Sequence, residues 1–236
     1  MTPPPAEAVE RLAATGRVRV EMPLGEEMTR GLHAALAGPD MVWNRAIRTP
    51  FGTDVPAAVF DAQDPVEKAR LVAMVHQEAA EGFQFIYDRL RLGQARAMGL
   101  TLPAPLDGLH DLFNGAEWRD WAHALTGDDR IAYVDAQATR YLPGHFLNGH
   151  DDRHEDAGRL YAYVLNLTPR WRVEWGGLLA FLDDWTEVSE AFVPAFGTLN
   201  VFRVPQPHLV TQVADFAPVP RFSVTGWWRT TPPPAA

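Results

Sequence analysis

From residue 131 onward the chain is written in short β-rich runs, at 131–141, 159–167, 177–182, 198–204, 208–213 and 221–230, broken by glycine, proline and aspartate. Many short strands with turn signals between them read as a β-sandwich or a closed β-barrel. The first half is different. Residues 6–14 and 25–37 carry helical spacing around a short strand at 17–21. Asp64-Pro65-Val66-Glu67 is a helix start: Asp64 can cap, Pro65 suits the first turn and Glu67 completes a capping box. From there the spacing predicts a helix to about residue 98, with Val72, Val75, Phe83, Ile86 and Leu90 on its apolar face. A further helix or two is expected over 106–125. The fold class is therefore α+β: a jelly-roll-like core with N-terminal helices packed on one sheet. The division is a mainly helical region at 1–130, a core at 131–231 and a loose tail at 232–236. The proline triplets Pro3-Pro4-Pro5 and Pro232-Pro233-Pro234 are expected as loose ends.

Composition narrows the function. Of 236 residues none is cysteine, so disulfides and thiolate metal sites are excluded and a metal must sit on histidine and carboxylate ligands. This agrees with a reducing cytoplasm. The net charge of −9 argues against general nucleic-acid binding, which draws on Lys and Arg at phosphates. No apolar run approaches the ~20 residues of a membrane span, and the first residues lack the pattern of a secretory signal.

One segment concentrates metal-binding chemistry: Tyr141-Leu-Pro-Gly-His-Phe-Leu-Asn-Gly-His150-Asp-Asp152. On an extended strand, residues i and i+2 point to one face, so His150 and Asp152 can reach a common ion. His208, near the end of the following β-rich region, is the candidate third ligand. Two histidines and a carboxylate on one face of an octahedral metal leave three positions open, as in non-haem iron oxygenases. A bare His-x-Asp is weak by itself, since the charged run HDDRHED also reads as a surface loop.

Arg221 strengthens it. It opens the apolar run Arg221-Phe-Ser-Val-Thr-Gly-Trp-Trp, thirteen residues after His208. A buried arginine needs a partner, and its fork matches a carboxylate bidentately. The distal carboxylate of 2-oxoglutarate is such a partner; a core Asp or Glu is the plainer one.

Taken in order, Tyr-x-x-Gly before His-x-Asp, then Trp-Gly-Gly, a distal His, and Arg with Gly-Trp, residues 131–230 resemble the prolyl-4-hydroxylase-like branch of the 2-oxoglutarate/Fe(II) dioxygenases. The resemblance implies a double-stranded β-helix core, Fe(II) on His150, Asp152 and His208, and 2-oxoglutarate and dioxygen as co-substrates. It implies 2-oxoglutarate contacts from Arg221 and Tyr141, and substrate contacts from Arg159 and Trp227. Trp175-Gly176-Gly177 would be scaffold. Relatives often carry Tyr where this chain has Asn166, so the co-substrate pocket is expected to differ there. The implied reaction couples decarboxylation of 2-oxoglutarate to C–H hydroxylation. Asp152 favours hydroxylation over halogenation, because related halogenases lack this carboxylate. The substrate would be a prolyl residue of a protein or peptide, or else a small molecule.

Two other readings compete. A zinc or cupin-type site would use His150, Asp152 and His154 and would need neither Arg221 nor His208. A non-enzymatic β-sandwich binding module would hold no stoichiometric metal. His145 is expected to face away from His150. His33, His76, His110 and His123 have no partner at metal spacing.

Overall fold

The computed structural model describes residues 2–49, 52–153 and 158–232. In chain order the elements are α1 (Ala6–Thr15), β1 (Arg17–Glu21), α2 (Glu26–Ala37), β2 (Asn44–Thr49), β3 (Gly52–Pro56), α3 (Ala57–Asp61), α4 (Pro65–Glu81), β4 (Phe85–Arg91), α5 (Leu92–Ala97), α6 (Leu106–Asn114) and α7 (Ala116–Thr126). The strands of the second half follow: β5 (Tyr133–Val134), β6 (Gln137–Tyr141), β7 (Phe146–His150), β8 (Arg159–Asn166), β9 (Leu179–Asp183), β10 (Glu187–Phe192), β11 (Thr198–Arg203), β12 (His208–Val210) and β13 (Arg221–Arg229).

The strands form one antiparallel sheet in the order β1-β11-β8-β13-β6-β4-β7-β12-β9-β10, with β2 and β3 beside β4 and β5 beside β13. The sheet curls on itself, so that β6, β8, β11 and β13 face β7, β9 and β12 across a single cavity. This is the double-stranded β-helix architecture. On β8 the alternation is plain: Ala162 and Val164 face the cavity side, whereas Tyr161, Tyr163 and Leu165 join the core under the helices. That core takes Leu12 from α1, Leu32 and Leu36 from α2, Phe113 from α6 and Trp118 and Trp121 from α7, packed on Val224 and Trp228 of β13. The helices thus cover the outer face of one half of the curled sheet.

The Asp64 cap is present, its carboxylate accepting from the Val66 and Glu67 amides. The helix it starts ends at Glu81, not near residue 98. Gly82 closes it, and Phe85–Arg91 is a central strand paired with β2, β6 and β7. Ile86 and Leu90, expected on a helix face, belong to that strand. The hairpin β2–β3 adds two more strands to the region read as mainly helical. The first proline triplet is anchored, not loose: Pro5 precedes α1, and Trp121 donates to the Thr2 carbonyl at 3.0 Å. Pro233 and Pro234 of the second triplet, and most of the expected tail, lie outside the described residues. Among the described residues no helix is long and apolar enough to cross a membrane.

Candidate metal and co-substrate site

His150 and His208 stand directly opposite each other where β7 pairs with β12, with ring centroids 4.1 Å apart. The strand ends at His150. Asp152 is therefore not on an extended strand: it turns back through a left-handed conformation, φ 60°, which Asp tolerates better than most residues. This turn brings its carboxylate 3.5 Å from His150 Nε2 and 3.6 Å from His208 Nε2. One ligand atom from each of the three residues lies within 4.8 Å of the others.

The imidazoles are oriented by their other nitrogens. His150 Nδ1 donates to the Asn148 carbonyl at 3.0 Å and His208 Nδ1 to the Gln206 carbonyl at 2.8 Å. Both Nε2 lone pairs are then left for an ion, the arrangement that outer hydrogen bonds impose on metal-binding histidines. Burial, aided by neighbouring His150, lowers the His208 pKa to about 4. Burial works against the Asp152 carboxylate, but its neighbours His150 and His208 outweigh burial and hold the group at about 2. At neutral pH His208 is neutral and Asp152 ionised, the protonation that metal ligation requires. The donor set of two nitrogens and one oxygen, with no thiolate, suits a first-row divalent ion.

The cavity beside these residues holds about 370 Å³, within the usual size of a small-molecule site. Arg221 lines it and is 1% exposed. Among the described residues no carboxylate pairs with it, and its Nε has no hydrogen-bond partner. What it touches is the ring of Tyr141, 5.1 Å from the guanidinium carbon, its direct neighbour across β6 and β13. Burial lowers the Arg221 pKa, with Tyr141 opposing, yet a guanidinium stays charged. Burial, then Tyr87, raises the Tyr141 pKa, which leaves its phenol a proton donor. Gly177 allows the close approach here: at φ 62°, a Cβ would meet Arg221 Cδ at 3.1 Å and Val213 at 3.2 Å. Gly176 is equally constrained, because a Cβ would lie 2.0 Å from the Gln212 carbonyl oxygen.

The remaining expected residues divide. Arg159 and Trp227 both line the cavity. The Arg159 guanidinium sits 3.7 Å above the Trp227 ring and donates to the Asp152 carbonyl at 3.0 Å, while among the described residues its Nε is buried without a hydrogen-bond partner. Asn166 is on β8 but does not line the cavity: its amide donates to Thr198 Oγ1 at 3.0 Å, and among the described residues its Oδ1 has no partner. His145 is buried beside Asp88, Arg45 and Arg140, and burial lowers its pKa to about 4. His110 and His123 bond Tyr133 and the Ile131 carbonyl. His154, the third ligand of the competing zinc site, lies outside the described residues. The reading from sequence missed the whole β4 wall, Phe85, Tyr87 and Arg89, all of which line the cavity. The signal available was Gly82, which ends the helical pattern just before it.

Residues 136–229 match the model of the 2OG-Fe(II) oxygenase superfamily. Among curated proteins, a prolyl 3-hydroxylase from Xenopus laevis, OGFOD1, is 31% identical over 127 residues, covering 51% of this chain and 24% of that protein. The chain thus spans about a quarter of the length of this relative. Among solved structures, a Pseudomonas putida prolyl-4-hydroxylase superposes with a TM-score of 0.57 at 20% identity, over 96% of this chain and 99% of that one. The epimerase SnoN of nogalamycin biosynthesis, described as non-heme and alpha-ketoglutarate-dependent, superposes with a TM-score of 0.57 at 14% identity, over 98% and 92%.

Proposed function

We propose that this chain, whose residues 136–229 match the 2OG-Fe(II) oxygenase superfamily, hydroxylates a prolyl residue in a protein or peptide, coupled to oxidative decarboxylation of 2-oxoglutarate. The family uses Fe(II), 2-oxoglutarate and dioxygen. Fe(II), when bound, supplies the redox chemistry that activates dioxygen.

The chain's own residues have the following parts in this reading. His150, Asp152 and His208 hold the ion. Arg221 and the Tyr141 phenol bind the distal carboxylate of 2-oxoglutarate. Asn166, turned onto Thr198, acts on that co-substrate only from behind the cavity wall. Arg159 and Trp227 meet the substrate at the mouth. Residues 131–231 form the working core, and 1–130 support it and add β4 to the cavity wall. A chain without cysteine suits a reducing cytoplasm.

The observation that carries the reading is Arg221: a fully buried cation, unpaired among the described residues, in the same cavity as the three candidate ligands. Leaving such a charge unpaired costs several kcal/mol, and a bidentate carboxylate removes that cost. The test is anaerobic. Fe(II) and 2-oxoglutarate together should give the visible charge-transfer band of a chelated keto acid, absent in Asp152→Ala. Aerobic incubation with proline-containing peptides should then add one oxygen, seen as about 16 Da by mass spectrometry. A band without peptide oxidation would redirect the search to small-molecule substrates. Metal uptake without a band would sink the oxygenase reading.

A further inference from the structure

The strand that sequence reading missed, β4, adds Tyr87 and Arg89 to the pair Arg221 and Tyr141 that was read from sequence. Arg221 lies over Tyr141 at 5.1 Å. Tyr141 stacks on Tyr87, with centroids 5.0 Å apart and planes 5° from parallel. Arg89 sits at the hydroxyl edge of Tyr87: it donates to the Tyr87 phenol oxygen at 3.3 Å, with its guanidinium carbon 5.9 Å from the ring centroid. All four side chains line the cavity.

The outer end is fixed from another element. Asp54 of β3 accepts from Arg89 at 2.9 Å and from Arg91 at 2.9 Å. On its other side Tyr87 meets Phe85 at 5.7 Å, Phe85 meets Phe83 at 5.6 Å, and Phe83 lies 5.6 Å from the His150 ring. One aromatic wall therefore runs from the arginine at the closed end to a candidate metal ligand.

We infer that Tyr87 is a positioning residue for the co-substrate: it holds Tyr141 flat against Arg221, and Arg89, clamped by Asp54, holds Tyr87. This inference rests on the reading of Arg221 and Tyr141 as the distal carboxylate site. Its physical basis is simple. Among the described residues the Tyr141 phenol has no hydrogen bond to fix it, so the ring's contacts alone set where its hydroxyl points. A stacked aromatic pair and a cation over a ring are each modest interactions. They are enough to select one orientation of a side chain with two torsions. The Tyr87 ring makes no direct claim on substrate; its effect is exerted through Tyr141.

The test is calorimetric titration of the full chain, loaded with Mn(II), with 2-oxoglutarate and separately with pyruvate, which lacks the distal carboxylate. Tyr87→Leu should bind 2-oxoglutarate about fivefold more weakly, while Mn(II) and pyruvate affinities stay at wild-type values. Arg89→Gln should weaken 2-oxoglutarate about threefold, again without moving pyruvate. A general loss of positive potential would weaken both ligands alike and would overturn the inference. So would wild-type 2-oxoglutarate affinity in both variants. If Tyr87→Leu does not fold, Arg89→Gln, which keeps the Tyr87 ring, carries the decision. A wild type that takes up no 2-oxoglutarate overturns the reading of the site itself, and this inference with it.

Discussion

Two buried arginine sites lie on opposite faces of the same sheet, and they are built on opposite principles. On the outer face, Asp88 of β4 is fully buried and receives both Arg45 and Arg140, the latter at 2.7 Å. Arg45 reaches Asp61 as well, and Arg140 lies over Trp43. On the inner face, one residue along β6 and β13, Arg221 has rings and glycine around it and no carboxylate among the described residues. The first site is complete as folded. The second has every element of such a site except the anion. Evolution of a core would not leave it so, because an unpaired buried charge is costly; a binding site must, because the ligand brings the missing group.

The largest effect that would break this comparison is on the outer site. Asp88→Ala leaves two buried guanidinium groups without their carboxylate and should lower unfolding stability by about 3–5 kcal/mol, measured by urea denaturation, with 2-oxoglutarate affinity of the folded fraction unchanged. A loss too small to resolve would mean that the outer cluster is not the structural one.

The second concerns pH. His145 packs behind the same cluster and its pKa is depressed to about 4 by burial, so the folded state keeps it neutral. The stability it contributes is fully present above the unfolded value of ~6.5 and is lost as pH falls toward 4. His208 behaves likewise in the metal-free protein. Thermal unfolding of the metal-free chain should therefore weaken across pH 6.5 to 4, by up to about 3 kcal/mol per histidine. His145→Gln should remove about half of the slope. A slope unaltered by that change would contradict the assignment.

The inner site should respond the other way round. Arg221→Met should leave the ligand-free melting temperature unchanged or raised, since it removes an unpaired buried charge. It should weaken 2-oxoglutarate binding by about 2 kcal/mol, or roughly thirtyfold. Strong destabilisation instead would make Arg221 a structural residue like Arg45. The smallest expected effect is at Asn166. Removing its bond to Thr198 by Asn166→Ala should cost about 1 kcal/mol of stability and change 2-oxoglutarate affinity about twofold, read in the same titration.

The parts of this arrangement that were legible in sequence are those whose chemistry is rare in context. His150-x-Asp152, a distal His208 and an arginine opening an apolar strand each stand out against strand composition, and the turn residues after 131 announce the sheet. β4 did not stand out. Six of its seven residues are buried or nearly so, because it runs between β2, β6 and β7 with both faces covered. A strand buried on both faces loses the alternation by which strands are recognised. Following directly on a capped helix, its Ile86 and Leu90 keep helical spacing. Tyr87 and Arg89 were lost with it. Asp152 was found for a reason only half right: the two-residue spacing puts it beside His150 through a left-handed turn, not through strand geometry. Asn166 shows the limit of reading position alone, since its side chain is turned onto Thr198 by a neighbour 32 residues away.

The central claim is that Arg221 is held unpaired for a carboxylate carried by the co-substrate. The most direct measurement compares 2-oxoglutarate with pyruvate, which has the same keto acid and no distal carboxylate, on the Mn(II)-loaded protein, wild type and Arg221→Met. The account predicts that wild type prefers 2-oxoglutarate by roughly thirtyfold or more and that Arg221→Met loses most of that preference while still binding pyruvate. Equal affinities in the wild type, or a preference that survives Arg221→Met, would contradict it.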